Sequence, residues 1–77
     1  MTNWEFSQRF HLSGDAGAIR AYRNSFELCL NRFISYLISR KYTDDEILRE
    51  LSLSYPELTR AELSEYIRIN QKGRHQD

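Results

Sequence analysis

Valine is absent from this 77-residue chain, against nine leucines and six isoleucines, and its threonines number three: Thr2, Thr43 and Thr59. Spending β-branched residues this way leans towards helix and away from sheet. The single cysteine, Cys29, has no partner for an internal disulfide. No secretory leader precedes it and no Asn-x-Ser/Thr sequon occurs, so the chain reads as soluble and cytoplasmic. Apolar runs are short, as at Leu28-Cys29-Leu30, and none is long enough to span a membrane. Excess charge of either sign is also missing: 11 Lys/Arg balance 11 Asp/Glu. A protein that binds phosphate backbones non-specifically needs the positive surplus that this one lacks.

Each threonine stands three residues before a glutamate. Tyr42-Thr43-Asp44-Asp45-Glu46-Ile47 and Leu58-Thr59-Arg60-Ala61-Glu62-Leu63 both read apolar, Thr, two free positions, Glu, apolar. That is a capping box with a hydrophobic staple. The hydroxyl accepts from the backbone N–H three residues on, and the carboxylate accepts from the threonine N–H. Tyr55-Pro56 lies between the two copies as a helix stop. The pattern predicts helices over about 44–53 and 59–70, the first burying Ile47, Leu48 and Leu51 and the second Leu63, Tyr66 and Ile67.

Upstream, Ser13-Gly14-Asp15 breaks the pattern and offers Ser13 or Asp15 as an N-cap. A long central helix over about 16–40 follows. Its apolar arc holds Ile19, Tyr22, Phe26, Cys29, Leu30, Phe33, Ile34 and Leu37, with Leu28 and Ile38 at or beyond the edges. An arc that wide suits a helix touched on two sides, and Cys29 falls within it as a small packed hydrophobe. Thr2-Asn3-Trp4-Glu5-Phe6 repeats the Thr-x-x-Glu signature and predicts a short N-terminal helix. Trp4, Phe6, Phe10 and Leu12 also alternate with Glu5, Arg9 and His11, as in a strand pairing with its own copy in a dimer. The fold class is all-α: a small three- to four-helix bundle in a single domain, with residues 72–77 a flexible tail.

The residues of catalysis are scarce. Of two histidines, His75 lies in the tail and His11 in the N-terminal segment, and one cysteine makes no zinc-ligand spacing. No Gly-rich loop joins a strand to a helix, so phosphate cradles are absent. The carboxylates of 44–65 occupy caps and solvent faces. No enzyme, cofactor, metal or small-molecule substrate is expected.

Two classes of partner remain. Ten aromatics are many for so small a core, and Trp4, Tyr36, Tyr42 and Tyr55 fall near edges or connections. Tyr and Trp are what protein interfaces use as anchors, so these four are the candidate contacts to a protein partner or to a second copy. Alternatively, the two capped helices form a helix-turn-helix whose last helix presents Arg60, Arg68, Gln71 and Lys72 to DNA. Against that, residues 43–71 carry three Lys/Arg and seven Asp/Glu, while residues 1–42 carry six and three. The acidic half coincides with the presumptive reader, which ranks a protein partner above nucleic acid.

Glu46-Ile47-Leu48-Arg49-Glu50, followed by Tyr55-Pro56-Glu57-Leu58-Thr59-Arg60-Ala61-Glu62-Leu63, resembles a small bacterial trihelical domain of unknown function linked with antitoxins. That family runs Glu-Ile-Leu, an acidic pair, aromatic-Pro-x-Leu-Thr, then an acidic residue and Ile or Leu. Here Leu51-Ser52-Leu53-Ser54 is inserted before the Tyr-Pro, which lengthens the second helix and alters the turn. The resemblance covers residues 46–63 and implies a helix-turn-helix core.

Overall fold

The computed structural model of the chain describes residues 1–74, with side chains through Lys72. It contains four helices: α1 (Asn3–Arg9), α2 (Ala16–Ser39), α3 (Asp44–Ser54) and α4 (Arg60–Arg74). No strand occurs among the described residues, and the protein is a small all-α bundle. The chain falls into two compact units, Met1–Leu30 and Asn31–Asp77, with the division inside α2.

The predicted caps are formed. Thr43 Oγ1 accepts from Glu46 N at 3.2 Å while Glu46 Oε1 accepts from Thr43 N at 2.9 Å. Thr59 and Glu62 repeat the arrangement with the same two distances. Thr2 accepts from Glu5 N at 3.1 Å, so the N-terminal segment is a helix and the strand alternative falls. Asp15, rather than Ser13, opens α2 by accepting from Ala18 N at 2.8 Å. Gly14 precedes it at φ +125, a backbone conformation that residues with a Cβ rarely adopt.

Helix ends were less legible. α1 and α2 both close in Schellman motifs built without glycine. Leu12 N donates to Ser7 O at 2.9 Å, and Tyr42 N donates to Leu37 O at 3.2 Å. His11 (φ 53) and Lys41 (φ 67) take the left-handed position that glycine usually fills. The tail expected over 72–77 is corrected in its first part: α4 continues through Arg74, and residues 75–77 lie outside the described residues. Glycine costs about 1 kcal/mol in a helix interior, and Gly73 is the last residue but one of α4, where that interior cost does not apply in full.

In the first unit, Phe6 is the buried centre at 1% exposure. Its ring lies 4.5 Å from that of Phe10, 5.4 Å from Phe26 and 6.0 Å from Tyr22, centroid to centroid. Arg23 ties α2 to α1 by donating to Asn3 Oδ1 at 2.8 Å and lays its guanidinium over the Phe6 ring. Such edge-to-face and offset pairs add about 0.5–1.5 kcal/mol each beyond the area they bury.

In the second unit, α3 and α4 pack against each other. The core comprises Ile34, Leu37, Ile47, Leu51, Leu58, Leu63 and Ile67. Each contributes roughly 1.5–3 kcal/mol relative to an exposed side chain. Leu48 and Tyr66, expected in the core, are half-buried, while Leu58, read as a staple, is buried in the α3–α4 connection. A polar clasp joins α4 to α2: Asn70 Nδ2 donates to Asn31 Oδ1 at 2.9 Å, and Ser35 Oγ donates to Asn70 Oδ1 at 3.3 Å.

Candidate interaction surfaces

α2 is the longest element, and its apolar residues exceed what its neighbours cover. Tyr22 is 48% exposed and Cys29 is exposed, which corrects the expectation that both lie in the core. Helical periodicity places them on the apolar side, but α1 covers α2 through Arg23 and Phe26 and leaves the flank beyond them open. Leu28, at or beyond the edge of that arc, is 52% exposed.

These residues share a continuous outer face. Ala18, Tyr22, Ser25 and Cys29 follow at spacings of four and three, with Ala21 and Leu28 beside them, and all six are exposed. None of the six carries charge, and exposed Arg32, four residues on from Leu28 and three from Cys29, ends the uncharged stretch. A helix face turned to solvent is ordinarily polar or charged, so this one is uncommonly bare.

The four aromatics singled out as contacts are distributed over both units. In the first, Trp4 stands 71% exposed on α1. In the second, Tyr36 is 54% exposed, with the Arg40 guanidinium 5.8 Å above its ring, and Tyr42 is 41% exposed. Tyr55 is half-buried, and its N–H donates to Leu51 O at 2.7 Å as the C-cap of α3.

The four nucleic-acid candidates fare differently. Arg60 and Lys72 are exposed. Arg68 is paired with Glu65 three residues before it on the same helix, and Gln71 donates to the Asp44 carboxylate at the start of α3. The last two side chains therefore already face carboxylates. Arg60 and Lys72 lie 12 residues apart on a helix that rises about 1.5 Å per residue, too far to act together on one base step.

Between the first turns of α3 and the C-terminal half of α4 lies an open groove of about 300 Å³. Asp44 and Asp45 stand at its rim, Leu48 and Ile67 form its apolar base, and Ser64, Arg68 and Gln71 complete the lining. The sequence signal for it was the acidic triplet Asp44-Asp45-Glu46 one turn before Leu48. That each wall faces the other required the fold.

No group of three or more His, Cys, Asp and Glu side chains among the described residues could hold a metal ion. Among the described residues no helix is long and apolar enough to cross a membrane. The Glu46 carboxyl is held below its ordinary value of 4.5 by the hydrogen bond from the Thr43 backbone and, next, that from the Thr43 hydroxyl. The shift arises from the cap.

Comparison with protein families, curated proteins and solved structures returned no match to this chain.

Proposed function

We propose that this chain is a small non-catalytic interaction module, an adaptor, inhibitor or regulator, that binds a protein partner through helical faces and edge aromatics. The observation that carries the reading is the uncharged strip from Ala18 to Cys29 on the outer face of α2, where Tyr22 and Leu28 stand about half exposed around Ser25. Contiguous apolar surface of this kind is stabilised when a partner removes it from water, at roughly 25 cal/mol per Å². Exposed Trp4 and Tyr36 add anchors of the type that protein interfaces favour.

The competing reading, a helix-turn-helix DNA regulator of the antitoxin-linked kind, rests on the α3–α4 pair and on the sequence resemblance. Arg68 and Gln71 facing carboxylates, and the acidic surplus over residues 43–71, weigh against it.

The test pairs two measurements. Leu28→Ser and Trp4→Ala should each reduce association with a partner retained from source cells, or with a second copy in native mass spectrometry, while leaving helicity unchanged. Random duplex DNA should not bind even at low salt. Binding to duplex that collapses between low and physiological salt, with association untouched by either variant, would replace the protein reading with the DNA one.

A further inference from the structure

The groove between α3 and α4 is built unlike the end of a helix that merely balances its dipole. The start of α3 is already capped in both directions by Thr43 and Glu46, so neither Asp44 nor Asp45 is needed for that purpose. The Asp45 side chain makes no hydrogen bond or ion pair with any described residue. Arg68, the cation in the lining, turns its guanidinium to Glu65 instead of across the groove. Asp44 spends one oxygen, Oδ1, on Gln71 and keeps the other. Two carboxylates thus overhang the apolar base of Leu48 and Ile67, the latter only 5% exposed.

This combination selects an occupant. A phosphate or other anion would meet two aspartates in a segment with seven acidic and three basic residues. A metal ion would find too few ligands. A wholly apolar side chain would desolvate the carboxylates with nothing in return. A lysine or arginine side chain meets both demands, because its methylene stem lies on apolar surface while its head stays at the charged rim. A peptide helix presenting such residues is the established way to fill a shallow groove between two helices.

Building on the protein-partner reading above, we propose that this groove docks a lysine- or arginine-bearing amphipathic helix of the partner. The stem lies over Leu48 and Ile67, and the cationic head sits at Asp44 and Asp45.

The probe is a synthetic leucine–lysine helix of about 15 residues, near the length at which isolated helices hold in water. The same peptide with glutamate for lysine serves as its counterpart. Titrated into the isotopically labelled full chain, the lysine peptide should shift the amide signals of Leu48, Ser64, Ile67 and Gln71 saturably. The glutamate peptide should shift none of them. Asp45→Asn should weaken binding about threefold to fivefold, the worth of one exposed ion pair. Glu57→Gln, an equal change of charge outside the groove lining, should leave affinity within about 1.5-fold, since screening confines exposed charges to short range.

Equal losses in the two variants would reduce the effect to a diffuse field and overturn the proposal. So would signals that move elsewhere, or no saturable binding by the wild-type chain, a result independent of any variant's folding. Retention of a native partner that depends on Leu28 but ignores Asp45 would remove the groove and leave the partner reading standing.

Discussion

Asn70 on α4 donates from Nδ2 to Oδ1 of Asn31 on α2 at 2.9 Å, across 39 residues of sequence. The same amide nitrogen donates to Tyr66 O at 2.9 Å, and the amide oxygen accepts from Ser35. One side chain therefore joins two helices inside the second unit. Truncating one partner leaves the other's polar atoms part-buried and unsatisfied, at a cost of about 1–3 kcal/mol. Asn70→Ala should lower the free energy of unfolding by that amount, read in urea denaturation as a lower midpoint. Asn31→Leu combined with Asn70→Leu should recover much of it, because both polar groups leave together. A double-mutant cycle showing simple additivity would mean that the two amides act independently.

The start of α4 tests the cap assignment. Thr59 Oγ1 accepts from Glu62 N at 3.2 Å, and Glu62 Oε1 accepts from Thr59 N at 2.9 Å. Thr59→Ala removes the first bond and should destabilise the chain by roughly 0.5–2 kcal/mol. Thr59→Ser keeps the hydroxyl and should cost only a small part of that. Chemical denaturation followed by far-UV circular dichroism reads both.

The matching box on α3 predicts a pH dependence. Hydrogen bonds from Thr43 favour the ionised form of Glu46, so its pKa in the folded chain lies below 4.5. The stabilisation is therefore fully present above 4.5, the value the group keeps when unfolded, and is lost as pH falls through the lowered folded value. Urea midpoints measured from neutral pH downward should decline in that window. Glu46→Gln should start lower and decline less steeply. An unchanged slope in the variant would assign the acid sensitivity to other carboxylates.

Lys41 offers a gain in stability. Its φ of 67 places a side chain where the left-handed conformation crowds Cβ against the backbone. Lys41→Gly relieves that crowding at the C′ position of the Schellman motif, against the larger entropy that glycine loses on folding. A net increase of about 0.5–1 kcal/mol is expected, and thermal unfolding measures it. A decrease would show that the lysine side chain contributes more at this site than the strain removes.

What the amino-acid order determined alone is the class of the fold and where α3 and α4 begin, while it left the N-terminal segment open between helix and strand. The three Thr-x-x-Glu signatures mark the starts of α1, α3 and α4, because an N-cap is made by atoms three residues apart and requires nothing from the rest of the chain. Periodicity found the apolar side of α2 for the same local reason. Folding decided how much of that side is covered: Phe6 and the other rings close over Phe26, while Tyr22 and Cys29 remain in water. It also decided that His11 and Lys41 would close two helices without glycine, that Leu58 would join the core from a connection, and that Asn70 would meet Asn31. The candidate surfaces belong to this second group. A hydrogen bond within a turn is written in neighbouring residues, whereas burial is a property of whatever distant segment arrives to exclude the water.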